Sequence, residues 1–334
     1  MARLAFRRYK LPFRHPVRTA HGLWTEREGL IVRVERENGV AGFGECAPIE
    51  WFGTETINEA EDVCRSIRET FDERQLAQVC EKSPCLHFAI CSALRAPVGS
   101  IESRKALPVV ALLPAGRGVL DQVEAKAEAG FRTFKWKVGV ADLADELAIL
   151  DDLIARLPEG SKLRLDANGA WDRRKSERAL ERCADRPVEF IEQPVSPELK
   201  GAEDLLLGLA ADYPTPIALD ESVVNGRDVE RWIGRGWPGF FVVKPALLGE
   251  PTSVIAQLEK AKAKVVFSSA LETSVGAKAA LRLAFTFQGE PHALGFGVWP
   301  LFQDSRFDGP YQAPFIRPQD VTAMNEEHLW NALT

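Results

Sequence analysis

The chain has 334 residues, 46% of them hydrophobic and 27% charged, with a net charge of −6. That balance fits a soluble globular protein of two domains, or one barrel with additions. It gives no footing for nucleic-acid binding, and no apolar run reaches the roughly 20 residues of a membrane-spanning helix.

The first 20 residues are basic but lack an apolar core of signal-peptide length. Six cysteines follow, Cys46, Cys64, Cys80, Cys85, Cys91 and Cys183, with no CxxC pair. They read as reduced, buried small hydrophobes in a cytoplasmic protein. The five histidines do not cluster and no HExxH occurs. Residues 30–48 have the pattern of a β-hairpin turning at Glu37-Asn38-Gly39. Residues 56–71 have helical periodicity, with Thr56 and Asn58 as start signals. A second helix is expected within 83–97, apolar at Leu86, Ala89, Ile90 and Leu94. This part reads as a small α+β domain.

A βα rhythm begins at Leu107. Strands are expected at 107–114, 133–139, 162–168, 188–194, 215–222, 239–248, 263–272 and 292–299. Helical patterns lie between them, with Gly130 and Gly160 at expected C-caps. The expected architecture is α/β: a (β/α)8-type barrel over residues 106–299, with an N-terminal capping domain over 1–105. Residues 300–334 begin no new βα unit and are expected to return to the cap.

Three acids, Asp166, Glu192 and Asp220, end consecutive apolar runs, 26 and 28 residues apart. In a parallel barrel the chemistry sits at the carboxyl ends of the strands. Three carboxylates converging there would repel unless a hard divalent cation, most naturally Mg²⁺, neutralised them. One interval earlier lie Lys135 and Lys137, and one interval later Lys244. Strand residues two apart share a face, so Lys135 goes with Lys137, and Arg164 and Asn168 go with Asp166. A carboxylic acid resists losing its α-proton because the enediolate carries a second negative charge, which a divalent cation can stabilise. Lysine becomes a useful base when a second lysine and a cation lower its pKa.

Each residue alone has a plainer reading. An Asp at a strand end is more often a helix cap, paired lysines can lie exposed on an edge strand, and Asp220-Glu221-Ser222 can simply start a helix. Glu45 and Trp51 lie in a Gly-rich loop where a lone acid or aromatic is usually structural. The joint pattern of acids and lysines on consecutive strands is what points to chemistry.

That set, with Glu192-Gln193-Pro194 and Lys244-Pro245, resembles the enolase superfamily, muconate-lactonizing subgroup. Residues 42–60, Asp166-Ala167-Asn168, the 217–222 stretch and Ser268-Ser269 narrow the resemblance to the o-succinylbenzoate synthases, over nearly the whole chain. The resemblance implies Mg²⁺-dependent dehydration of 2-succinyl-6-hydroxy-2,4-cyclohexadiene-1-carboxylate, on the route to menaquinone or phylloquinone, with Mn²⁺ able to substitute. It assigns proton transfer to Lys137, and metal ligation to Asp166, Glu192 and Asp220. Lys244 falls on the opposite face of the ring, and Lys135 tunes Lys137. Ser268 and Ser269 are implied at the succinyl tail, with Asn168 and Arg164 as further substrate-side candidates. An N-succinylamino acid racemase would use the same two lysines and stays open. A dipeptide epimerase fits less well, because Gly295-Phe296-Gly297 carries no charge where that group has an Asp-x-Asp pair. A Schiff-base aldolase using Lys244 would leave the three acids unexplained, and a non-catalytic barrel would leave the whole set idle. The partner is a small-molecule carboxylate; the oligomeric state stays open.

Overall fold

The protein is described by a computed structural model over residues 2–19, 22–67, 70–72, 79, 82–95, 104–310 and 313–333. Cys80 lies outside these residues. The other five cysteines are buried free thiols.

The N-terminal part is a four-stranded antiparallel sheet in the order β3-β2-β1-β4. Its strands are β1 (Ala2–Thr19), β2 (Gly22–Glu35), β3 (Ala41–Cys46) and β4 (Thr70–Phe71). The β2–β3 hairpin turns where expected, through Gly39 at φ 77°, a conformation glycine adopts without strain. β1 carries no clear alternation in its basic sequence, yet it pairs along β2 for most of its length. Among the described residues, two helices cover the sheet. Ile57–Ser66 starts at a reciprocal Thr56–Glu59 capping box and buries Ile57, Ala60 and Cys64. Pro84–Arg95 lies so close to β3 that a Cβ on Gly44 would meet the Ala89 carbonyl oxygen at 1.9 Å.

The second part is a curled parallel sheet of seven strands, in sequential order from β6 to β12. They are β6 (Ala111–Leu113), β7 (Thr133–Lys137), β8 (Lys162–Asp166), β9 (Val188–Glu192), β10 (Ile217–Leu219), β11 (Phe240–Val243) and β12 (Lys264–Phe267). Helices alternate with these strands. Interior positions stack in layers, as alternation demands. Phe190, Ala218, Val242 and Val266 form an apolar cluster, each two residues before Glu192, Asp220, Lys244 and Ser268.

The expected eighth strand at 292–299 is not a full strand. Leu294 and Gly295 alone bridge the ends of the sheet, pairing with Val109 and Ser268. The backbone passes close to its neighbours here, so both glycines are required: a Cβ on Gly295 would meet Ser268 Oγ at 2.4 Å, and one on Gly297 the Val110 carbonyl oxygen at 2.2 Å. The expected strand at 107–114 also divides. Leu107–Pro108, β5, pairs antiparallel with Phe315–Ile316, β13, while Ala111–Leu113 joins the barrel.

The C-terminal residues touch both parts. Arg7 lies 4.5 Å over the Trp330 ring, and Phe43 packs on the same ring at 6.0 Å. Lys278, on the helix Ser274–Thr286, binds Glu326 at 2.6 Å. Among the described residues, no helix is long and apolar enough to cross a membrane.

Candidate active site

Strand register brings the polar residues together. Lys137 is the neighbour of Asp166 across β7 and β8, and Asp166 of Glu192 across β8 and β9. Glu192 faces Ala218, so Asp220 stands two residues further along the same inward face of the next strand end. Lys244 follows β11 directly.

Lys135 Nζ lies 2.9 Å from Asp166 Oδ2 and 2.7 Å from Glu192 Oε1. Lys244 binds Asp220 Oδ1, and Lys137 donates to Asn168 Oδ1. Asn168 in turn donates from Nδ2 to Glu221 Oε1 at 2.9 Å, while Glu221 Oε2 is buried without a partner among the described residues. Burial alone would lower the Lys135 pKa; the carboxylates of Asp166, Glu192 and Asp220 outweigh it and hold it well above the usual lysine value. Burial pushes Glu192 up to about 8, with Asp166 and Asp220 adding to the rise. Burial and the Asp220 charge push Glu221 up to about 7. Four acids thus share this layer with three lysines, and burial first, then the neighbouring acids, raises Glu192 and Glu221.

Among the described residues, no three His, Cys, Asp or Glu side chains are already arranged around a metal position; lysines hold the acids instead. The donor set nevertheless fits Mg²⁺. Asp166, Glu192 and Asp220 offer hard oxygens on adjacent strand ends, and Glu221 beside them has a buried oxygen with no hydrogen-bond partner among the described residues.

A cavity of about 580 Å³ opens over this layer. Its floor and one wall are polar, with Lys137, Asn168, Asp220, Glu221 and Lys244 among the lining residues. The facing wall is largely apolar: Val17, Trp24, Ile49, Trp51 and Phe52 from the N-terminal part, and Leu271 from the barrel. Phe52 lies 4.9 Å from Lys244 Nζ, and Trp51 stands edge-on to Trp24 at 4.7 Å. The 49–53 loop therefore lies at the site.

Ser269 lines the cavity, its hydroxyl committed to Glu272 Oε2 at 2.9 Å and to the Leu271 amide. Ser268 is absent from the lining and turns toward the Gly295 carbonyl oxygen at 3.5 Å. Lys135 lies beneath the cavity, among the acids. Arg164 is not in the cavity at all. Its guanidinium binds Glu189 at 2.7 Å, donates to the Ala293 carbonyl and lies 4.8 Å over Phe190. A register shift between β8 and β9, where Leu163 faces Val188 but Arg164 faces Phe190, leaves Glu189 as the extra residue of a bulge. Burial opposes ionisation of Glu189, but His292 and Arg164 prevail and hold its pKa well below the usual range. Arg164 thus plugs the amino end of the barrel.

Glu45 is likewise structural. It accepts from Tyr9, from the Thr273 amide and hydroxyl, and from the Gly276 amide at 2.9 Å. A carboxylate at the start of the helix Ser274–Thr286 satisfies its free N–H groups and its dipole.

Gln193 was not singled out by sequence reasoning. It is fully buried at φ 37°, and its amide makes four hydrogen bonds. Oε1 accepts from the Asp220 and Ser222 amides at 3.0 and 3.2 Å; Nε2 donates to Val195 O and Ser222 Oγ at 2.9 and 2.8 Å. It staples the ends of β9 and β10, which carry Glu192 and Asp220. Its place directly after an expected ligand was the available signal.

Comparison with known proteins agrees with this architecture. Residues 118–314 match the family described as enolase C-terminal domain-like, and residues 1–96 match the MenC N-terminal domain. The o-succinylbenzoate synthase of Thermosynechococcus vestitus is 42% identical over 337 aligned residues, covering 99% of each chain. The crystal structure of o-succinylbenzoate synthase from Thermosynechococcus elongatus BP-1, complexed with Mg in the active site, superposes with a TM-score of 0.85 at 38% identity. It covers 99% of this chain and 100% of its own. The L-Ala-D/L-Glu epimerase of Bacillus subtilis shares the fold at 22% identity and a TM-score of 0.81, covering 94% of this chain and 95% of its own. The chain belongs to the o-succinylbenzoate synthase family, within the enolase superfamily.

Proposed function

We propose that this chain is a Mg²⁺-dependent hydro-lyase that converts 2-succinyl-6-hydroxy-2,4-cyclohexadiene-1-carboxylate to o-succinylbenzoate, a cytoplasmic step toward menaquinone or phylloquinone. The observation that carries the reading is the placement of Lys137 and Lys244. They come from strand ends four places apart in the sheet, yet line one cavity above the acid layer. Full-length identity of 42% to a relative of that name supports the substrate.

Asp166, Glu192 and Asp220 would hold the metal. When bound, Mg²⁺ supplies positive charge against the second negative charge that develops on the substrate carboxylate. Lys137, as the neutral amine, takes the proton α to the carboxylate. The departing hydroxyl, on the same ring face, then receives that proton from Lys137; the C–H and C–O bonds break, an aromatic ring forms and water leaves. Asn168 Oδ1 holds the Lys137 amine in place. Lys244 remains an ammonium on the other face and stabilises the dienolate by its charge. Lys135 acts as a positioning residue, through Asp166 and Glu192. Ser269, on the cavity wall, is assigned to the tail side, where the apolar surfaces of Trp24 and Leu271 lie. We assign the cap to residues 1–105, joined by 300–334, and the barrel to 106–299; Arg7–Trp330 and Phe43–Trp330 contacts support that return.

The test is turnover of the cyclohexadiene substrate with Mg²⁺, followed by the appearance of the aromatic product. Chelation should abolish it, and Mg²⁺ or Mn²⁺ should restore it. Full turnover in chelator would sink the reading. Two lysines on one cavity also support racemisation of N-succinylamino acids as a second activity, read by exchange of the α-proton in D₂O.

A further inference from the structure

Arg27, on β2, is 1% exposed, and its hydrogen bonds all go to main-chain carbonyls. A guanidinium carries five N–H donors in a rigid fork. Here Nε donates to Leu271 O at 3.2 Å. Nη1 donates to Pro48 O at 2.6 Å and Glu28 O at 3.3 Å. Nη2 donates to Ala47 O, and to Ala270 O at 3.3 Å. Its carbon lies 5.0 Å from the Trp24 ring centre, so the same side chain also backs a cavity-lining aromatic.

Two of these carbonyls, on Ala47 and Pro48, precede the cap loop that supplies Ile49, Trp51 and Phe52 to the cavity. Two others belong to Ala270 and Leu271, which line it from the barrel. Leu271 has φ 60°, a left-handed conformation costly for a bulky side chain. Such a conformation persists only where surrounding contacts over-determine it. Its amide is held by Ser269 Oγ at 2.9 Å and its carbonyl by Arg27.

We infer that Arg27 is a positioning residue that locks the cap loop to the strained 270–271 turn, and so fixes the cavity wall that receives the part of the substrate remote from the reacting carbon. It touches neither the acids nor the lysines itself, and of the loop it holds only Phe52 lies against a lysine, Lys244, so its main effect falls on substrate binding. The inference rests on the proposed dehydration for its kinetic arm only.

Arg27→Lys tests it. The charge stays, but an ammonium has three donors on a flexible stem and cannot replace the fork. The KM for the cyclohexadiene substrate should rise at least tenfold, with kcat within threefold and Mg²⁺ affinity by calorimetry unchanged. Amide hydrogen exchange should quicken at least tenfold in both 47–52 and 270–273, while 192–193 and 220–222 keep wild-type rates. An unchanged KM, or a fall in kcat alone, overturns the assignment, as does exchange that quickens in only one of the two segments. If Arg27→Lys does not fold, Leu271→Gly decides. Glycine takes the same φ without strain but removes the wall, so KM should rise at least fivefold; a wild-type KM overturns the assignment. The exchange arm needs no turnover, so a chain lacking dehydratase activity would sink the reaction and leave the interlock separately readable.

Discussion

Glu272 offers a test of buried electrostatics away from the proposed metal ligands. Its carboxyl is fully buried. Oε2 accepts from the Ala270 amide and from Ser269 Oγ, and Oε1 has no hydrogen-bond partner among the described residues. Burial, and then the Glu45 carboxylate beside it, pushes its pKa up to about 7. An unfolded glutamate titrates near about 4.3. Between those values the folded chain binds more protons than the unfolded one, so stability falls as pH rises through this window. A gap of about 2.7 pH units is worth about 4 kcal/mol, at roughly 1.4 kcal/mol per unit. Glu272→Gln removes the titration while its carbonyl keeps the acceptor role. The variant should therefore exceed the parent by about 4 kcal/mol at pH 8, shrinking to about 1 kcal/mol at pH 5. Urea unfolding of both proteins at each pH, in saturating Mg²⁺, cancels the other titrations. A difference that is flat with pH, or that grows toward acid, would refute the reasoning.

The legible part of the site is the part built from strand alternation. Asp166, Glu192 and Asp220 each close an apolar run, and β8, β9 and β10 are neighbours in the sheet. The runs are short and unbroken because both faces are buried, which also made the βα rhythm readable. The same rule put Arg164 on the inward face, where it lies over Phe190, but alternation does not give depth: Arg164 is held at the amino end by Glu189 and the Ala293 carbonyl, away from the cavity. The eighth strand is reduced to Leu294 and Gly295, which pair with both ends of the sheet; the apolar pattern of 292–299 marks the segment but not how few of its residues pair. Arg27 carries no such signal, because its hydrogen-bond partners are backbone groups with no sequence label, whereas Gln193 stands beside an expected ligand but bonds mostly to backbone. Glu45 looked like a loop residue, but its hydrogen-bond partners Thr273 and Gly276 lie 228 and 231 positions away.

Gln193→Leu leaves the buried Asp220 and Ser222 amides and the Val195 carbonyl without their side-chain partner. At about 1–3 kcal/mol per buried unsatisfied group, the loss should be at least about 3 kcal/mol by urea unfolding, with Mg²⁺ affinity weakened in parallel; wild-type stability would contradict the staple. Asp220→Asn should cut Mg²⁺ affinity at least tenfold by calorimetry and nearly abolish turnover, with an unchanged circular dichroism spectrum; retained affinity would remove Asp220 from the ligand set. Lys137→Ala should lose about 10²–10⁴-fold or more in kcat, since one amine is assigned both proton transfers. Lys244→Arg keeps a charge with a different shape and reach, so it should retain part of the dehydration activity. The isotopic test separates the two lysines further. In D₂O the parent should exchange the α-proton of either enantiomer of an N-succinylamino acid, because Lys137 and Lys244 line the same cavity from strand ends four places apart. Lys244→Ala should lose exchange with one enantiomer and keep it with the other, while Lys137→Ala shows the reverse. If Lys137→Ala dehydrated normally and Lys244→Ala did not, the roles of the two lysines would have to be exchanged.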